Sequence, residues 1–140
     1  MRNLKIFAMV GIAAALVTGC SAAATTAPAQ GGTIKATLTD MKIEVDRSSI
    51  SAGTVTFVVK NAGAVAHELV VIKTDVAQDK IVPGTEAGKV DETGNLGETG
   101  DVIAGGSNTF SAALPAGHYV LICNEVGHYV SGMHTAFTVN

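Results

Sequence analysis

Four side chains in this sequence offer the sulfur and imidazole donors of a metal site. Cys123, His128 and Met133 are separated by four residues each, and His67 lies upstream in NAGAVAHELVV. One thiolate, two imidazoles and one thioether form the donor set of a mononuclear type 1 copper centre. The thiolate favours Cu(I) and the imidazoles also suit Cu(II), so the set predicts one copper ion that exchanges single electrons.

Other chemistry fits these residues less well. A Cys–His nucleophile would need an oxyanion donor and a substrate cleft, and it would leave His67 and Met133 unused, so we predict that the protein is not an enzyme. Zinc rarely takes a thioether ligand. A binuclear copper site would need a second cysteine, and none lies between Cys123 and Met133.

The N-terminus has the pattern of an export signal. Residues 1–19 combine Arg2 and Lys5 with an apolar run that is short for a membrane span. The run ends in VTGC, the pattern of a bacterial lipobox, which predicts lipidation at Cys20 after cleavage. Cys123 would then have no disulfide partner, and metal binding explains a single thiol in an oxidising compartment.

Length and composition indicate a single folded domain behind a tether. The chain has 140 residues, of which 47% are hydrophobic and 15% charged, so it has too few charges and too much apolar character for disorder. Residues 20–32, which include SAAATTAPAQGG, predict a flexible tether from the lipid to a domain at 33–140. The 9 basic residues against 12 acidic ones show no basic cluster, which argues against nucleic-acid binding.

The domain reads as a series of short strands separated by turns. Ile34, Ala36 and Leu38 share one face of a strand, and Leu114-Pro115-Ala116-Gly117 marks a turn. Residues 75–101 are acidic and glycine-rich and predict a solvated excursion between strands. Many short strands predict an all-β sandwich or barrel. The predicted strands are 33–39, 41–45, 54–60, 67–73, 107–114, 118–123 and 135–140.

Two motifs resemble those of the cupredoxins, the plastocyanin and azurin family. They are NxGxxxHE, which ends at Glu68, and CxxxxHxxxxM, whose spacing is similar to that of auracyanin and rusticyanin. The resemblance implies a Greek-key β-sandwich of about 7–8 strands with one type 1 copper. It also implies that His67 and His128 bind through Nδ1, with His67 buried and His128 exposed, and that backbone N–H groups near Glu68 and Asn124 support the sulfur.

Two uses of the copper remain open from the sequence. The first is a monomeric electron carrier between redox partner proteins such as a cytochrome or an oxidase, exported and lipid-anchored at a periplasmic or outer surface. The second is a copper-delivery lipoprotein. A delivery protein would want spare exposed Met or His, and the chain beyond Cys20 offers only Met41, His118 and His134 besides the predicted ligands.

Overall fold

The computed structural model of the protein describes residues 31–140. The predicted signal peptide 1–19, Cys20 and nearly all of the tether 20–32 lie outside the described residues. The described residues form nine strands and no helix, and the predicted all-β sandwich is confirmed. The strands are β1 (Gly32–Thr39), β2 (Lys42–Val45), β3 (Ser49–Ile50), β4 (Gly53–Asn61), β5 (Val70–Lys73), β6 (Asn95–Glu98), β7 (Ser107–Leu114), β8 (Gly117–Ile122) and β9 (His134–Val139).

The strands form two sheets that face each other. The first has the order β2-β1-β4-β7, and the second has the order β3-β9-β8-β5-β6. The β1–β4 and β3–β9 pairs are parallel, and the other pairs are antiparallel. The parallel pairs join strands that are not consecutive in the chain, so the topology relies on crossovers between the sheets.

Alternating apolar residues of both sheets build the core between them. Ile34 and Leu38 of β1 are fully buried, as the alternation predicts. Phe57 stacks on Phe110 with ring centroids 5.1 Å apart and also contacts Phe137 of the other sheet at 6.1 Å. The same core cluster includes Cys123 and Met133, so two predicted ligands belong to its packed end; a rigid core is what holds ligands in fixed positions.

The acidic segment 75–101 is more ordered than its composition indicates. It contributes β6, which pairs with β5, and Val90 packs with Ile72 and Ile122 in a second apolar cluster on the outer face of the second sheet. The sequence reading missed both features, because charge and glycine content mask the few apolar residues that cover this face. The two strands beyond the predicted seven are β6 and the two-residue β3.

Candidate copper site

Three ligand atoms converge at one end of the sandwich. His67 Nδ1 lies 3.2 Å from His128 Nδ1, and Cys123 Sγ lies 3.3 Å from His128 Nδ1 and 3.9 Å from His67 Nδ1. A first-row metal with bonds of about 2.0 Å to nitrogen and about 2.3 Å to sulfur fits the centre of such a triangle. Of the described residues, these three form a His₂Cys group, and its donors are those of a type 1 copper site.

Met133 completes the donor set from the core side. It is fully buried in the same apolar cluster as Cys123. The Cys123 N–H donates to the Met133 carbonyl at 3.0 Å, and the Met133 N–H donates to the His128 carbonyl at 3.1 Å. These bonds close the loop 123–133 on itself, so His67, Cys123, His128 and Met133 form a type 1 copper site. In this site the Met133 thioether would supply a weak, soft donor to a bound copper ion.

The geometry of the 123–133 loop follows from the strands on either side of it. Ile122 of β8 pairs with His134 of β9, which fixes the two ends of the loop against each other. Gly127 and Gly132 adopt positive φ angles of 82° and 105°, a conformation that side chains other than glycine rarely tolerate. The chain therefore turns tightly enough to place three ligands on one short loop.

His67 lies before the strand that was predicted to begin with it. Strand β5 begins at Val70, and His67 instead forms an isolated two-way bridge with Val102, with N–O distances of 3.1 and 2.7 Å. Leu69 bonds to Thr99 through its N–H and its carbonyl. The backbone around His67 is therefore paired with residues 99–102 rather than with β8, which is why the strand prediction began too early.

The burial of the two histidines differs as the resemblance implies. The His67 side chain is fully buried, whereas His128 is partly exposed. Burial and the neighbouring His67 lower the pKa of His128, which favours the neutral imidazole that a metal needs. His118 is exposed, and His134 stacks on Tyr129 with centroids 5.0 Å apart, so neither belongs to the His₂Cys group.

The sulfur is protonated in the copper-free protein. Burial raises the pKa of the Cys123 thiol to about 11, although the Glu68 N–H at 3.4 Å favours the thiolate. A bound metal needs the thiolate, so copper binding would displace this proton and copper affinity should rise with pH. The N–H donor to sulfur is one that the resemblance implies near Glu68.

Glu68 joins the two ligand-bearing segments. Its Oε1 accepts the Asn124 N–H at 3.1 Å, so the residue after the first histidine is bonded to the residue after the cysteine. Burial, and then repulsion from Glu125, raises the pKa of Glu68 to about 7. Glu68, Asp101 and Glu125 bring their carboxylates together beside the ligands. This side of the site is acidic.

Sequence reasoning missed Asp40. Its Oδ1 lies 3.2 Å from His67 Nε2 and also accepts the Ala64 N–H at 3.0 Å. These two bonds lower the pKa of the Asp40 carboxyl. Asp40 is 27 residues from His67 along the chain and lies in a turn, so no local motif connects the two.

Comparison with known proteins agrees with this geometry. Residues 31–140 match the family described as copper binding proteins, plastocyanin/azurin family. The chain belongs to this family. Its donor set, its buried ligands and its sandwich are therefore those of a cupredoxin, and its chemistry is copper-based electron transfer. No curated protein sequence gives a significant match to the chain.

Three solved structures have the same fold as this chain. Reduced auracyanin from Roseiflexus castenholzii has 24% identity and a TM-score of 0.61, covering 80% of this chain and 98% of its own. Auracyanin A, a blue copper protein from Chloroflexus aurantiacus, has 26% identity and a TM-score of 0.59, covering 79% and 100%. Rusticyanin from Thiobacillus ferrooxidans has 18% identity and a TM-score of 0.59, covering 79% of each chain.

Proposed function

We propose that this cupredoxin carries single electrons between redox partner proteins at a membrane surface, to which lipid on Cys20 anchors it. The observation that supports the proposal most directly is the asymmetry of the site. Cys123, His67 and Met133 are fully buried, whereas His128 is partly exposed. A ligand edge at the surface gives electrons a short route to a partner while the ion stays enclosed.

The surface around His128 suits brief contact with a partner. Val126 and Val130, which flank His128 in the loop, are 59% and 75% exposed. Apolar groups exposed beside a polar rim are typical of protein-binding patches. The acidic group Glu68, Asp101 and Glu125 adjoins this patch and favours a partner with a basic rim.

Copper delivery is the alternative function, and the structure favours it less than electron transfer. Delivery favours an open site with spare ligands, and here three of the four ligands are fully buried; Met41, 37% exposed, is the one spare methionine of the described residues. Catalysis by a Cys–His pair would need a reactive thiolate, whereas burial raises the pKa of Cys123 to about 11. The buried ligands favour an electron carrier over a delivery protein, and the raised pKa of the Cys123 thiol disfavours an enzyme.

The anchor is a proposal from the N-terminal pattern. Residues 31–140 contain no helix long and apolar enough to cross a membrane. Mass spectrometry of the protein expressed in a bacterium should find acyl groups on Cys20, and a Cys20→Ser variant should leave the membrane fraction. An unmodified Cys20 in membrane-bound wild-type protein would refute the anchor but not the copper site.

Spectroscopy and electrochemistry of the purified full-length protein test the carrier function. Addition of Cu(II) should give an intense blue band and a reversible one-electron wave, since the thiolate is the strongly coupled ligand. Colourless Cu(I) binding with rapid transfer to a chelator would instead favour delivery.

Replacement of Cys123 by Ser identifies the thiolate. The blue band should disappear, while the copper-free variant should lose only about 1–2 kcal/mol of stability because one buried sulfur becomes a hydroxyl. Met41→Leu, which changes the spare methionine, is the matched control and should stay blue. A blue band in the Cys123→Ser variant would show that another residue binds the copper.

A further inference from the structure

The buried ligand His67 has a carboxylate behind it. Asp40 Oδ1 lies 3.2 Å from His67 Nε2, the ring nitrogen on the far side from the Nδ1 that faces Cys123 and His128. An ionised carboxylate only accepts hydrogen bonds, so this contact requires the proton of neutral His67 to be on Nε2. The tautomer that results leaves Nδ1 free to bind the metal.

The chain holds this carboxylate in place from two sides. Asp40 lies in the two-residue turn between β1 and β2, which the Thr39–Lys42 pair closes. Its neighbour Met41 has a φ of 64°, a left-handed conformation that a methionine rarely adopts. From the other side, the Ala64 N–H donates to the same Oδ1 at 3.0 Å. The turn and the His67 segment are thus bonded through one oxygen.

Gly63 shows how closely these groups pack. A Cβ at this position would lie 2.5 Å from Asp40 Oδ1 and 2.8 Å from His67 Nε2, both too short for a real contact. The carboxylate and the imidazole therefore meet across a position where a side chain does not fit. The His67 side chain is 0% exposed and that of Asp40 is 52% exposed, so the carboxylate reaches from the surface to a buried ring.

We propose that Asp40 is a positioning residue of the copper site, which holds His67 with Nδ1 toward the metal and makes its imidazole a stronger donor. A carboxylate on the outer nitrogen of a metal-binding histidine fixes the ring and raises its basicity. A more basic ligand stabilises Cu(II) more than Cu(I), so Asp40 lowers the reduction potential. The inference concerns the tuning of the site and needs only that the site binds copper.

Three variants of the full-length protein separate the effect of Asp40 on the orientation of the His67 ring from the effect of its negative charge. Asp40→Asn keeps an oxygen that accepts the Nε2–H but removes the negative charge. Asp40→Ala removes both. Asp46→Asn is the matched control: its Oδ1 also accepts a backbone N–H, that of Lys35 at 3.0 Å, but it lies after the far end of β2. It therefore makes the same change in charge away from the ligands.

Two measurements test the two roles of Asp40, in the reduction potential and in the tautomer of His67. In voltammetry, Asp40→Asn should lower the preference for Cu(II) over Cu(I) about tenfold, which raises the reduction potential of the one-electron couple by about 59 mV. Asp46→Asn should shift the reduction potential much less. In ¹⁵N NMR of the copper-free proteins, wild type and Asp40→Asn should show His67 with its proton on Nε2. Asp40→Ala should show a mixture of tautomers.

Either of two results would overturn the proposal. One is an Asp40→Asn potential that moves no further than that of Asp46→Asn; the other is a single Nε2–H tautomer of His67 in Asp40→Ala. If Asp40→Ala does not fold, the potential of Asp40→Asn still decides. Wild-type protein that takes up no copper would refute the proposed function instead, so the two failures are distinct.

Discussion

The segment that leads to His67 and the loop that carries the other three ligands each contain a buried asparagine, and the two side chains bond in different ways. Asn61 bonds within its own segment: its amide donates to the Val65 carbonyl at 2.7 Å and its oxygen accepts the Gly63 N–H at 2.8 Å. A third bond goes to the Val102 carbonyl at 2.8 Å. Asn61 therefore shapes the turn that leads into His67.

Asn124 bonds outward instead. Its oxygen accepts the Val90 N–H at 2.8 Å, and its amide donates to the Val90 carbonyl at 3.1 Å and to the Glu92 carboxylate at 2.7 Å. All three bonds go to the acidic segment, while the loop 123–133 keeps its shape through its own backbone bonds. Asn61 thus shapes the segment that carries His67, whereas Asn124 only attaches the acidic segment 75–101 beside the loop 123–133.

Replacement of Asn61 by Ala should have the largest effect. It leaves the Gly63 N–H and two carbonyls without their side-chain partner in a buried region, which should cost about 3 kcal/mol in the free energy of unfolding. Because the His67 turn loses its shape, copper affinity should fall about 10–100-fold, as for other losses of ligand support. Urea unfolding of the copper-free protein and competition with a copper chelator measure the two effects.

An exposed asparagine provides the control for this variant. Asn108 lies on β7 and donates to the Thr99 carbonyl at 2.8 Å on the surface. Asn108→Ala should stay within about 0.5 kcal/mol of wild type and bind copper normally. If Asn61→Ala bound copper as tightly as Asn108→Ala, the His67 segment would be shaped by something other than its asparagine.

Replacement of Asn124 by Ala should have a smaller and differently located effect. The loss of three bonds to Val90 and Glu92, two of them buried, should cost about 2 kcal/mol in the free energy of unfolding. The smaller effect is on the site, because the loop 123–133 keeps its own backbone bonds and copper affinity should stay close to that of wild type. Hydrogen exchange of the Val90 amide should become faster, while the blue band should stay in place. A bleached or strongly shifted band would mean that the acidic segment 75–101, and not the loop 123–133 itself, holds the ligands in place.

The sequence predicted the part of the site whose residues lie close together along the chain. The even spacing of Cys123, His128 and Met133 is visible in the chain because one loop carries all three, and strand alternation predicted the buried face of β1. These features follow from neighbouring residues and a period of two, so no knowledge of the fold was needed.

Contacts between distant segments could not be predicted in this way. Asp40 meets His67 across 27 residues, and Asn61 meets Val102 across 41. Polar residues in turns read as ordinary turn residues until the topology brings them to a ligand. For the same reason the composition of residues 75–101 predicted a solvated excursion, although its few apolar residues cover the outer face of the second sheet.

Glu68, where the two ligand segments join, should give the smallest effect, and it depends on pH. In the copper-free protein burial raises the pKa of Glu68 from 4.5 to about 7, so between these values the folded state holds a proton that the unfolded state has lost. Stability from this group is therefore full below pH 4.5 and decreases as the pH rises toward 7. Since Glu68 is only half-buried, solvent screening reduces the loss to about 1 kcal/mol.

Glu68→Gln removes this titration but keeps an oxygen for the Asn124 N–H. Urea unfolding of the copper-free proteins from pH 4.5 to 7.5 should show the variant gaining about 1 kcal/mol on wild type as the pH rises. Glu44→Gln, on an exposed part of β2, should run parallel to wild type. Parallel curves for Glu68→Gln as well would mean that the junction carries no pH-dependent strain. The bond from the Asn124 N–H to Glu68 Oε1 would then join the two ligand segments without any pH-dependent contribution to stability.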